Sequence, residues 1–223
     1  FLRPDPLVIG RQMDDSQQTQ QAIVPARPLG EIFASNAVRL AVASMVIGQL
    51  VMTSIMVITP LHMAHHNHGL QAVSLVLMAH TLGMFGFATV TGWLIDRLGR
   101  LSMIMIGGVT LAIASLLTPA SPSMFVLAFA LFLLGLGWSF CFVAGSALFA
   151  DSVAANERGR AQGFSETLVA IASGAGSLGT GVAFQYGGII MVSAIGLAFS
   201  LIFLAGALWS AQRRQLVTAG ESR

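Results

Sequence analysis

Two titratable side chains, His80 and Glu166, stand inside otherwise apolar runs, where an ionisable group is costly and as a rule faces a cavity or a partner. A histidine exchanges protons near neutral pH, so His80, about nine residues or ~13 Å below the outer end of its run, is the first candidate for proton coupling or substrate contact. The competing expectation is a neutral ring bonded to a neighbouring helix. Glu166 lies a little over one helical turn inside the opposite end of its run, poised either to join a gate with Arg158 or Arg39 or to reach interfacial water. Gln49 offers hydrogen bonds to a substrate, and so do Trp138 and Cys141, for which helix packing is the alternative.

A third concentration of chemistry is "HMAHHNH", with His62, His65, His66 and His68. His62 and His66 have the i, i+4 spacing of two ligands on one helical face, and imidazole suits zinc, copper or nickel. No cysteine or carboxylate stands nearby, and Pro60 and Gly69 point to a loop. The expectation is a solvated outer loop sensitive to external pH, with no metal site.

The elements that must position these groups follow from composition. Charged residues are 9% of the 223 and apolar ones 55%, against about 25% charged in a soluble domain. Six apolar segments, 33–59, 72–95, 101–118, 123–150, 162–183 and 187–210, approach the ~20 residues that cross a bilayer core as a helix. Lipid offers backbone amides no partner and the runs are too long for barrel strands, so the fold class is an all-α membrane bundle of six transmembrane helices. Residues 1–32 read as a polar, proline-bearing linker and 211–223 as a tail. The single cysteine excludes an intrachain disulfide.

The eleven basic residues are all arginine. With six crossings every one falls on the same side: Arg3, Arg11, Arg27 and Arg39 before or at the first span, Arg97 and Arg100 after the second, Arg158 and Arg160 after the fourth, and Arg213, Arg214 and Arg223 after the sixth. By the positive-inside rule both termini are cytoplasmic. The net charge of +2 is not gathered into a patch, so no nucleic acid is expected as a partner.

Between the second and third runs stands "GWLIDRLGR". Gly92 is expected to let a neighbouring helix approach, and Gly99 to supply a positive φ if the turn needs one. Asp96 is expected to accept from free amides at a helix start, with Arg97 and Arg100 pairing acids on a neighbouring loop. "SGAGSLGTG", with Gly174, Gly176, Gly179 and Gly181, reads as a helix-packing stripe.

"GWLIDRLGRLSMI" resembles the cytoplasmic-loop motif of the major facilitator superfamily, in the copy joining the eighth and ninth helices. "DSVAANERGRAQG" resembles the loop between the tenth and eleventh, with Glu157, Arg158 and Arg160 as partners for the first loop. "FLRPDPL" resembles the exit from the sixth helix, and "TPLHMAHHNHG" with "AHTLGMFGF" resembles a branch of bacterial permeases. Leu101 stands where many members carry another basic residue. The resemblance implies the carboxy-terminal half of a twelve-helix transporter, built from inverted three-helix repeats. It further implies a plasma-membrane permease for uptake or efflux of a small molecule, driven by protons and needing no cofactor. Its expected partners are the lipid bilayer, the substrate, and a missing amino-terminal half or a second copy. The first residue, Phe1, is not Met, which fits a fragment.

Two other classes compete. A rhomboid-like protease needs Gly-x-Ser-Gly and a later histidine, whereas "AGSA" at Ser146 and "ASGA" at Ser173 miss the pattern and no histidine follows His80. A non-transporting six-helix protein with a metal- or pH-sensing histidine loop is the second; it leaves both loop resemblances unexplained.

Overall fold

The computed structural model describes residues 26–221, with side chains to Trp209. Among the described residues the secondary structure is helical: α1 (Leu29–Ala34), α2 (Asn36–His65), α3 (Leu70–Thr81) running into a π-helical turn (Leu82–Gly86), α4 (Ala88–Leu98), α5 (Arg100–Leu117), α6 (Met124–Ser152) and α7 (Ala155–Glu221). Four of these are long and apolar enough to cross a membrane, and the pair Leu70–Gly86 and Ala88–Leu98, bent by 44°, makes a fifth if counted as one span.

The longest helix is not straight. Gly187 (φ −147°, ψ 17°) and Gly188 (φ 60°, ψ −154°) leave helical geometry, and the second of these conformations is essentially confined to glycine. Thr180 Oγ1 donates to Ser54 O of α2 at 3.3 Å, while a Cβ built on Gly196 would lie 3.3 Å from Ile55 of the same helix. Sixteen residues of unbroken helix would span ~24 Å, yet both positions meet neighbouring residues of α2. The two arms of α7 therefore fold back on each other at the Gly187–Gly188 break, next to the gap that the sequence places between its last two runs.

α2 is the central post. Its Ser44 Oγ donates to Cys141 O at 3.1 Å, and a side chain on Gly145 would collide with Ser44 and Ala41 O. α5 meets α6 as closely: Cβ atoms on Gly107 and Gly137 would fall 2.7 Å from Cys141 Sγ and 2.9 Å from Leu111 N. Cys141 is fully buried in this seam, its Sγ 3.8 Å from Ile104 O, the helix-packing position that was its alternative.

α3 and α6 cross backbone to backbone. A Cβ on Gly83 would collide with Phe132 O, and one on Gly135 with His80 O. At this crossing His80, 2% exposed, donates from Nδ1 to Leu131 O at 3.0 Å. This is the bond to a neighbouring helix that the competing expectation described.

Several boundaries differ from the expected ones. Pro60 does not end the first span: α2 continues to His65, so His62 and His65 lie on its last turn rather than in a loop. Of the expected linker, 1–25 fall outside the described residues, while Leu29–Ala34 is a helix with Ile32 buried. Phe33 packs edge-on to Phe164 at 5.0 Å and tilted against Phe149 at 6.4 Å. Beside it Glu157, only 3% exposed, accepts from Arg27 N at 2.7 Å, Nε at 3.0 Å and Nη2 at 2.8 Å. α1 is thereby strapped across the junction of α6 and α7. Of the expected tail, the backbone stays helical to Glu221.

Gly135→Ala drives a methyl into His80 O and is expected to cost about 1–3 kcal/mol or more, read as a lower thermal midpoint in detergent. Gly179→Ala, where a Cβ meets nothing within 4 Å, leaves the midpoint in place. Glu157 lies ahead of its apolar run. Hydrogen bonds from the Arg27 side chain, then from its main-chain N–H, hold the carboxyl at about 2, below the ordinary 4.5. The folded-state value is depressed, so this stabilisation is full above pH 4.5 and is lost as pH falls towards 2. The thermal advantage of the parent over Glu157→Gln should be present at pH 7 and shrink below pH 4.5; an advantage constant across that range refutes the pairing.

Candidate functional site

A cleft of about 560 Å³ opens between α2, α6 and the first arm of α7, lined by Gln49, Trp138, Phe142, Glu166, Val169, Ala170, Ser173, Gly174 and Ser177. The α7 contribution runs 166, 169, 170, 173, 174, 177, which is one face of a helix. A volume of this size is ordinary for a small-molecule site.

The side chains form a network. Trp138 Nε1 donates to Gln49 Oε1 at 2.9 Å, and the Gln49 amide nitrogen donates to Thr53 Oγ1 at 3.2 Å and Ser173 Oγ at 3.3 Å. The two hydroxyls lie 3.3 Å apart. Trp138 stacks on Phe142 (5.0 Å, 21°) and meets Phe85 edge-on (6.1 Å, 75°). Three helices thus bring hydrogen-bonding groups and aromatic faces to one opening.

A second cavity, about 240 Å³ between α2 and the two arms of α7, is lined by Leu50, Ser54, Val192 and Phe199 among others. Its Thr180 hydroxyl is already committed to Ser54 O. Of these two, the first cleft carries the side-chain hydrogen-bond network.

Of the residues expected to contact substrate, Gln49 and Trp138 come together, while Cys141 and His80 lie in packed seams. Glu166 lines the cleft, while Arg158 Nη2 is bonded to Ala150 O at 2.8 Å and Arg39 Nη2 to Ala34 O at 2.8 Å and Asn36 Oδ1 at 2.9 Å. Ser173 and Thr53 were not singled out as binding groups by sequence. Thr53, four residues after Gln49 on the same helix, had that spacing as a signal, and Ser173 shares a face with Glu166 seven residues earlier on its own helix.

At the arginine-bearing end, Gly99 has φ 87° and ψ 156°, so the positive φ is real. Arg100 Nε pairs with Asp151 Oδ2 at 3.0 Å and Nη1 with Asp96 Oδ1 at 3.6 Å. Asp96 therefore faces Arg100, and the start of α5 has no side-chain cap. Arg97 lies over the Trp93 ring at 5.2 Å. Glu157 is taken by Arg27, and Arg160 donates to Arg27 O, so the partner of the α4–α5 turn is Asp151, the first residue of the second loop segment.

A Cβ on Gly92, Gly174, Gly179 or Gly181 meets nothing within 4 Å, whereas one on Gly176 would touch Leu50 O at 3.1 Å. Of that stripe Gly176 alone packs closely, and Gly174 instead faces the open cleft.

The outer histidines are engaged with protein. His66 Nδ1 donates to His62 O at 2.9 Å, His68 Nε2 to Pro122 O at 2.7 Å, and His65 stacks on Phe184 at 5.9 Å. Among the described residues no group of three or more metal-binding side chains is placed to share an ion.

The sequence profile of the Major Facilitator Superfamily matches residues 40–221. The chain is similar to "Uncharacterized MFS-type transporter YdeG" of Bacillus subtilis (strain 168), 36% identical over 215 residues, covering 96% of this chain and 50% of that protein. It is similar also to "Uncharacterized MFS-type transporter YddS" of the same organism, 33% identical over 218 residues, with 96% and 50% covered. The "Riboflavin transporter RfnT" of Brucella anthropi is 36% identical over 143 residues, 64% of this chain and 36% of that one. The chain spans about half the length of the two Bacillus relatives. With a profile match over most of its length and two such relatives, the chain belongs to the major facilitator superfamily, a family of multi-pass membrane transporters and not of enzymes.

Proposed function

We propose that the chain works as the carboxy-terminal six-helix half of a secondary transporter of the plasma membrane, with its small-molecule cargo in the Gln49–Trp138–Ser173 cleft. The observation that carries this reading is the convergence of Gln49, Trp138 and Ser173, from three helices, on one opening. In lipid such groups are costly and mark substrate pathways.

Two arms of α7 and one bent pair bring the crossings to six. On that count the arginines share one side and both termini are cytoplasmic. The cleft is closed by an amino-terminal half or a second copy, and alternation of the two halves exposes it to each side in turn. Asp96, Arg100 and Asp151 latch the α4–α5 turn to the end of α6 and hold the outward-facing state. Glu166, the ionisable side chain of the cleft lining, carries the coupling proton in place of His80. Riboflavin, the cargo in one relative's name, is one compound to assay.

The test is transport by the transporter assembled from this chain and its companion half. Gln49→Ala should lower uptake or efflux roughly three- to tenfold at equal membrane abundance, the worth of one or two neutral hydrogen bonds, while Cys141→Ser leaves it within twofold of the parent. Asp96→Asn should slow transport without loss of folded protein. Unaltered transport in Gln49→Ala removes the cleft from the pathway.

A further inference from the structure

We propose that the cleft is a slot for a planar aromatic cargo bearing one positive charge, with Gly174 setting the slot's width and Glu166 receiving the charge. This rests on the reading of the cleft as the cargo site. One wall carries the nearly parallel Trp138–Phe142 pair, and Phe85, outside the lining, braces Trp138 edge-on from behind it. The α7 wall is nearly bare, built from Ala170, Ser173, Gly174 and Ser177. A Cβ on Gly174 would meet nothing within 4 Å, so this glycine leaves space rather than filling a helix contact. A stacked aromatic pair opposite small residues leaves an opening that fits a ring system better than a branched or globular solute.

Charge and hydrogen bonding then order the cargo along the slot. Glu166 is the ionisable residue of the lining, and it lies seven residues from Ser173 on one helical face, ~10 Å along the axis. The cleft therefore has a negative end and a neutral hydrogen-bonding end. At the neutral end Gln49 holds Thr53 and Ser173 at 3.2 and 3.3 Å, long enough for a ring nitrogen or carbonyl to take over one of these bonds. A cation beside Trp138 also gains from the face of the indole.

The probes are ethidium, a planar cation; phenanthridine, its neutral ring system; and tetraphenylphosphonium, a cation that cannot lie flat. Equilibrium binding to the transporter assembled from this chain and its companion half, in lipid nanodiscs, should place ethidium at least about tenfold tighter than phenanthridine, the worth of a charged contact, with tetraphenylphosphonium weaker than both. Glu166→Gln should bring ethidium to the phenanthridine level. Gly174→Leu should weaken both planar probes by about tenfold or more, as added methylenes in a closed pocket do, while Gly181→Leu, at an open position outside the cleft, leaves them unchanged and controls for folding.

Phenanthridine binding as tightly as ethidium, or Glu166→Gln without effect, overturns the charge selection. Ethidium binding that survives Gly174→Leu, or a preference for tetraphenylphosphonium, overturns the slot. Neither result touches the cleft as a cargo site, which the Gln49→Ala transport assay decides independently of any probe.

Discussion

A bilayer gives polar atoms no water, so most must find partners within the protein, and this constraint orders most of the bundle, the buried hydroxyls of Thr91, Ser165 and Ser193 being exceptions among the described residues. Thr59, Thr81, Thr110, Ser115, Thr118, Thr167 and Ser200 each return a hydroxyl to the carbonyl four residues earlier in the same helix. Ser44 and Thr180 reach a neighbouring helix, and His80 does the same with its ring. Against this background the Gln49 network stands out because its members bond one another through side chains at the mouth of an opening. Their mutual bonds hold the lining together, and the same atoms can turn to a guest.

The same scarcity of partners favours close backbone contact, which is where the glycines matter. Gly83 and Gly135 each face a carbonyl across the α3–α6 crossing. The π-helical turn at Leu82–Gly86 begins at this point, and the chain bends 44° beyond it. The crossing pins the outer segment, so the bend sets the direction of α4. Through α4 it places the Gly99 turn, where Arg100 reaches Asp151 at the end of α6. Glycine contacts thus connect the middle of the bundle to its ionic rim.

What was legible in the sequence follows the same logic. Apolar runs reveal helices because length and hydrophobicity are local properties, and the Gly187–Gly188 break falls at the start of the last run, next to the gap expected after 183. Gly99 was legible because a tight turn between two helices restricts φ locally. Partner choice was not. Arg27, in a stretch that read as linker, takes Glu157, and Asp151 takes Arg100, since which charges meet depends on how helices are placed rather than on spacing. Gly174 and Gly176 are equally small and two residues apart, yet face opposite fates because helical phase turns one to open space and the other to Leu50 O.

These misreadings share a cause with the reading that replaced them. A glycine, a glutamate or a histidine in an apolar run signals that something other than lipid lies beside it, without saying whether that is a backbone, a counter-charge or a cavity. His80 finds a carbonyl, and Glu166 finds the cleft. The difference lies in exposure: the histidine is 2% exposed, at a crossing too tight for a side chain on Gly135. A proton carrier must meet water or cargo during the cycle, and a ring sealed in a backbone contact can do so only if the crossing opens. Opening it would break the glycine contacts that aim α4, so the histidine serves the frame of the bundle, and this is why the proposed coupling proton is assigned to the cleft wall.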